Sequence, residues 1–130
     1  MNKKLLITGA VFGVIGIILG AFAAHGLKEL VSEGSLQSFE TGVRYQMYHA
    51  FLLLILGSVN VIPEKAKKMI YILIVVGVLF FSGSIYGLAT NALTSVDFTK
   101  IALITPLGGL LLIVVWLIMF INFLKLKVDN

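Results

Sequence analysis

The sequence predicts an all-α integral membrane protein: a four-helix bundle in antiparallel up-down-up-down order, with a short interfacial helix between helices 1 and 2. Three observations lead there. Four apolar runs, residues 5–24, 43–62, 69–88 and 101–124, each reach the roughly 20 residues an α-helix needs to cross about 30 Å of hydrocarbon. Hydrophobic residues make up 59% of the chain and charged residues 12%, with a mean hydropathy of +1.07, whereas soluble domains carry about twice that charge. The basic residues, finally, sit mostly in short flanks beside the runs. A chain of 130 residues with most of its length in lipid leaves room for one transmembrane domain, residues 1–130, with helices at about 5–25, 36–62, 66–90 and 98–124.

Composition also narrows function. The absence of cysteine removes disulfides, thiolate metal sites and cysteine nucleophiles together. A net charge of +4 and a pI near 9.5 suit nucleic acid only when the charge forms a patch, and here it flanks spans, so no nucleic-acid partner is expected. Lys3, Lys4, Lys65, Lys67, Lys68, Lys125 and Lys127 fall on one side of a four-span chain, against Lys28, Arg44 and Lys100 on the other. By the positive-inside rule both termini are cytoplasmic and the 27–42 and 89–100 loops face outward.

Helix 1 follows Lys3 and Lys4. Its Ala21-Phe22-Ala23 imitates a signal-peptide cleavage site, but the apolar stretch exceeds a signal core and carries glycines at packing spacing, so it is read as a retained helix. Gly9, Gly13, Gly16 and Gly20 recur every three or four residues and form one stripe, the surface by which helices approach closely in lipid. Gly83 and Gly87 on helix 3, and Gly108 and Gly109 on helix 4, repeat the device. Tight packing within the chain accounts for these patterns more simply than a dimer interface.

Between helices 1 and 2, Leu27, Leu30 and Val31 keep helical spacing and predict the interfacial helix. Ser35 is the expected N-cap of helix 2, and Glu40 with Arg44 an expected i, i+4 pair. Arg44, Tyr45, Gln46, Tyr48 and His49 then crowd six positions. Arg44, Tyr45, Tyr48 and His49 share an arc of about 140° that is expected to face the bundle. An interfacial aromatic and basic belt explains Tyr45 and part of Arg44, but not the deeper His49, where an unpaired polar group is costly.

Helix 3 brings Ser82, Tyr86 and Thr90 as a four-residue ladder, and helix 4 brings Thr105 and Pro106. With helix 4 starting near Asp97, Pro106 is expected to lie inside it and kink it. His25 closes helix 1 at the same level. Polar residues therefore gather toward the outer half, and Trp116 is the main exception in an aliphatic inner half.

Four segments, Gly20-Ala-Phe-Ala-Ala-His-Gly-Leu27, Thr41-Gly-Val-Arg-Tyr-Gln-Met-Tyr-His-Ala50, Phe81-Ser-Gly-Ser-Ile-Tyr86 and Ile104-Thr-Pro-Leu-Gly-Gly109, resemble in order and spacing the signatures of the bacterial domain-of-unknown-function family 423 (DUF423, UPF0382). That family is itself similar to the eukaryotic transmembrane protein 256. The resemblance covers nearly the whole chain and implies a four-helix protein of the bacterial inner (cytoplasmic) membrane with no established activity.

Function is thus argued from the residues. The leading expectation is a non-enzymatic membrane protein that supports envelope integrity or a membrane assembly. Its outer cluster of Arg44, Tyr45, Tyr48, His49, His25, Ser82, Tyr86 and Thr105 would hold a lipid headgroup or a partner, either another membrane protein or a second copy. The alternative is a small transporter, or a haem or metal carrier using His25 and His49. Two histidines supply few ligands, and an aliphatic inner half offers no polar path. No cofactor, metal or catalytic residue is assigned, since hydrolase, phosphate-loop and zinc-protease motifs are all missing.

Overall fold

The computed structural model describes residues 2–94 and 97–127. Met1, residues 95–96 and residues 128–130 of the expected domain lie outside the described residues. The described chain is all-helical, with four long helices: α1 Lys3–His25, α2 Glu33–Ser58, α3 Glu64–Ala89 and α4 Ile104–Leu124. α1, α3 and α4 are each long and apolar enough to cross a membrane. α2 is not among them, because its first half carries Glu33, Glu40, Arg44, Gln46 and His49.

Local chemistry sets the helix ends. Asn2 caps α1 through its side chain, which accepts from the Leu5 amide at 3.3 Å. The connection to α2 is a single 3-10 turn, Leu27–Glu29, rather than a longer interfacial helix, and its Leu27 is wholly buried. Ser32, not Ser35, caps α2: its hydroxyl accepts from the Ser35 amide at 3.2 Å, which places Gly34 inside the first turn. α2 stops at Ser58 rather than at residue 62, as Val59 turns extended ahead of Pro63, which disfavours helical backbone before it.

α3 is α-helical over Glu64–Val78 and Ser84–Ala89, and π-helical between them over Leu79–Gly83. A 3-10 turn, Phe98–Ile101, precedes α4, where the Asp97 carboxylate accepts from the Thr99 amide and hydroxyl. These two donors hold the Asp97 carboxyl below its ordinary range. α4 starts at Ile104, so the kink expected at Pro106 has no basis: the proline is third in the helix, where its missing N–H would have had no intrahelical partner.

The exterior is apolar, unlike that of a soluble protein, and polar side chains are buried alongside the apolar core. Ile17, Ile18, Ile113 and Phe120 face outward while Gln46, His49, Lys67, Ser82 and Ser84 are buried. One apolar cluster joins all four helices through residues such as Leu5, Leu53, Ile74 and Leu112, and a second gathers Ala23, Leu27, Phe39 and Ala89.

Glycines set the closest approaches, though not all those expected. A Cβ at Gly9 would come 2.9 Å from the Ala50 carbonyl oxygen, one at Gly16 would strike Met47, and one at Gly108 would strike the backbone of Phe80 and Phe81. Gly20 and Gly109 are in ordinary contact range, whereas Gly13 and Gly83 open onto free space. Three glycines without an expected role, Gly42, Gly57 and Gly77, are as tightly packed as Gly9.

The end of the molecule near the α2–α3 connection is closed by polar contacts. The Asn2 amide donates to the Gly57 carbonyl at 2.7 Å, and the Thr8 and Tyr71 hydroxyls share a hydrogen bond of 3.0 Å. Lys4 lies 4.7 Å from the Tyr71 ring centroid. Lys67, read from sequence as a flanking charge, is fully buried: its ammonium donates to the Val59 carbonyl at the end of α2 and sits 3.5 Å from Glu64. A cation there compensates the partial negative charge of a helix C-terminus.

Candidate functional site

Polar groups from three helices meet between the two apolar clusters, with the Gln46 side chain at their centre. Its amide nitrogen donates to the Phe12 carbonyl of α1 at 2.9 Å, and its amide oxygen accepts from the Tyr86 hydroxyl of α3 at 2.7 Å. Beside it the Ser82 hydroxyl donates to the Gly42 carbonyl at 2.7 Å. Gly42 makes this possible, since a Cβ in its place would come 2.8 Å from the Tyr86 ring. Without water to compete, such bonds fix how helices meet in lipid.

His49 joins α2 to α4. The Trp116 indole nitrogen lies 3.2 Å from His49 Nε2, and His49 Nδ1 lies 2.7 Å from the Tyr45 carbonyl oxygen. An indole N–H only donates, so Nε2 accepts and the ring proton resides on Nδ1, which donates to Tyr45. Both nitrogens of a neutral imidazole are thereby occupied. His25 ends α1 on its exposed side, one turn beyond Phe22, whose ring packs on Phe39, and the ten residues of α2 from Phe39 to His49 correspond to about 15 Å along the axis. The two histidines do not share a site, which removes the geometric basis for haem or metal held between them.

Arg44, Tyr45 and Tyr48 depart from the expected inward arc. All three are exposed, whereas the buried face of α2 runs through Gly42, Gln46, His49 and Leu53. Arg44 donates to the Thr41 hydroxyl at 2.9 Å instead of pairing with Glu40. Among the described residues the only ion pair is Lys67 with Glu64. Tyr45 packs on Tyr48 and on Phe81, with ring centroids 5.5 and 5.0 Å apart. Tyr45, Tyr48, His49, Phe51 and Trp116 line an open groove of about 500 Å³ between α2 and α4.

Ser84 and Thr105 share a hydrogen bond between α3 and α4. Thr105 also lines a cavity of about 480 Å³ with Ser35 and Ser38 of α2. The structure therefore leaves His25 apart at the exposed end of α1 and separates the rest of the expected cluster into three parts. Ser82 and Tyr86 belong to the Gln46 layer, Thr105 to the α3–α4 contact, and Arg44, Tyr45 and Tyr48 to the outer surface with His49 beneath them.

Gln46, Trp116 and Lys67 were not singled out as site residues. The 4, 3, 4 spacing of Gly42, Gln46, His49 and Leu53 was the signal for the first, because it marks one helix face. No sequence signal announces the other two, whose partners lie on different helices or eight residues away.

Comparison with known proteins places the chain among membrane proteins of one family. The family model described as "Protein of unknown function (DUF423)" matches residues 19–109. A UPF0382 membrane protein of Staphylococcus epidermidis is 37% identical over 123 residues, covering 95% of this chain and 97% of its own. The UPF0382 membrane protein YwdK of Bacillus subtilis is 33% identical, covering 95% and 98%. The UPF0382 inner membrane protein YgdD of Escherichia coli is 32% identical, covering 97% and 93%. No solved structure matches. With outward-facing apolar helices, a buried polar layer and relatives of matching length that are named membrane proteins, the chain belongs to the DUF423 (UPF0382) family of membrane proteins of unknown function.

Proposed function

We propose that the chain is a four-span, non-enzymatic membrane protein, antiparallel in up-down-up-down order with both termini cytoplasmic, and that it supports envelope integrity or a membrane assembly by binding an anionic group at Arg44. The fourth span is α2. Contacts of Asn2 with Gly57 at one end and of Phe22 with Phe39 at the other align α2 with α1 along its length, and the polar Gln46 and His49 are turned inward and paired. The basic residues near Lys65 and Lys125 support the orientation.

The observation that carries the functional reading is Arg44. Its guanidinium is exposed on the outer half of α2 and donates to the Thr41 hydroxyl, and no carboxylate lies within ion-pair distance among the described residues. A cation so placed is suited to a lipid headgroup or an acidic partner.

Two measurements test this. Single cysteines replacing Lys65 and Ser35 should be, respectively, shielded from and reached by a membrane-impermeant thiol reagent in intact cells; the reverse pattern refutes the orientation. A host deleted for its own family member should become sensitive to envelope stress and be rescued by the wild-type chain but not by Arg44→Gln. Full rescue by that variant refutes the role of Arg44.

A further inference from the structure

Arg44 lies one helical turn before Tyr48, which lines the groove between α2 and α4. Arg44, Tyr48, Phe51 and Ile55 follow at spacings of four, three and four, one helix face, and Tyr48, Phe51 and Ile55 are each more than half exposed. From Arg44 to Ile55 the stripe runs about 16 Å along the axis, close to half of the roughly 30 Å hydrocarbon thickness. A cation thus stands at the head of an apolar track one leaflet long. Trp116, half exposed and anchored to His49, forms the opposite wall.

We propose that this groove is a specific site for one glycerophospholipid with an anionic phosphodiester headgroup, the phosphate on Arg44 and one acyl chain along Tyr48, Phe51 and Ile55 against Trp116. The proposal rests on the reading of Arg44 given above and names its ligand. Charge complementarity requires the anion. Lining chemistry favours a thin chain over a partner helix: close helix approach needs small residues, and the groove presents Tyr45, Tyr48, Phe51 and Trp116. Such aromatic walls leave a narrow, flexible track that an acyl chain can follow.

Trp116 is the only tryptophan of the chain, so its fluorescence reports this site alone. The purified full-length protein would be reconstituted in bilayers of mixed phosphatidylglycerol and phosphatidylcholine, with one or the other carrying brominated acyl chains as a quencher. Brominated phosphatidylglycerol should quench Trp116 as though favoured about fivefold over phosphatidylcholine, the preference expected of one basic residue at an anionic headgroup. Arg44→Gln should bring the ratio near one, and Lys28→Gln, a basic residue of the same end in the Leu27–Glu29 turn rather than on the Tyr48, Phe51 and Ile55 face, should leave it unchanged.

Equal quenching by both lipids in the wild type means annular contact only and overturns the proposal. So does an unchanged preference in Arg44→Gln, or an equal loss in Lys28→Gln. If quenching shows no preference while Arg44→Gln still fails to rescue the deletion host, the wider reading stands with another anionic partner and the lipid site falls.

Discussion

The two ends of the molecule handle charge in opposite ways. At the Lys67 end polar groups are consumed by the protein itself: Lys67 takes the Val59 carbonyl, Asn2 takes Gly57, and Thr8 and Tyr71 take each other. At the Arg44 end the guanidinium holds one hydroxyl and faces outward, and an open groove and a second cavity lie nearby. A cation satisfied internally serves the fold. One left exposed at the membrane is available to something else, and the sequence alone, showing lysines in flanks and an arginine in a span, suggests the reverse assignment.

The contrast is broken most severely by truncating the buried cation. Lys67→Ala should destabilise the protein by about 3 kcal/mol, combining a cavity with an unpaired terminal carbonyl, whereas Arg44→Ala should change stability by less than about 0.5 kcal/mol. Thermal unfolding in detergent compares them directly, and similar losses would erase the distinction between the ends.

Packing gives the next effect. Gly108→Ala drives a methyl into the backbone of Phe80 and Phe81 and should cost about 2 kcal/mol. Gly13→Ala enters open space and should be neutral or slightly stabilising, since alanine is the better helix former. A large loss at Gly13 would mean that an unseen neighbour, such as a second copy, covers that face.

Smaller again is the bolt between the ends. Tyr86→Phe removes the hydrogen bond to Gln46 and should cost about 1 kcal/mol. A double-mutant cycle with Gln46→Leu should return a coupling of at least about 0.5 kcal/mol. Additive losses would show that the two side chains do not act together.

The smallest effect concerns pH. The Thr99 donors hold Asp97 below its ordinary value of 3.8, so its contribution is complete above that value and is lost as pH falls through the lower folded value. Asp97→Asn should flatten only this acid limb of the stability profile. An altered profile near neutral pH would point to a different titrating group.

Family, helical class and the three span-length runs of α1, α3 and α4 were legible because apolar length and ordered motifs are local properties of the chain. Site geometry was less so. Polar residues suggested the inward face of α2, yet Gly42 marks it better, since close approach of Tyr86 requires a missing side chain there. Lys67 reads as a loop charge until the chain folds back and its long stem spans from α3 to Val59. Pro106 was misplaced because the start of α4 depends on the 3-10 turn before it, and turn boundaries carry weak signals. Trp116 and His49 are separated by 67 residues, and nothing in either neighbourhood names the other.

The π-helical stretch in α3 makes winding there as consequential as residue identity. A π-helix turns through a smaller angle per residue than an α-helix, so the five residues Leu79–Gly83 cover about the rotation of four α-helical ones. The extra residue is absorbed there, and Tyr86 and Ser84 keep the faces that reach Gln46 and Thr105. Were the same five residues to wind as ordinary α-helix, everything beyond would turn by about 100°, and Tyr86 would swing off Gln46 and Ser84 off Thr105. A single-residue deletion inside this stretch, which lets the remainder wind as α-helix with the same faces, is therefore better absorbed than one in the α-helical turns on either side, where no spare residue takes up the rotation.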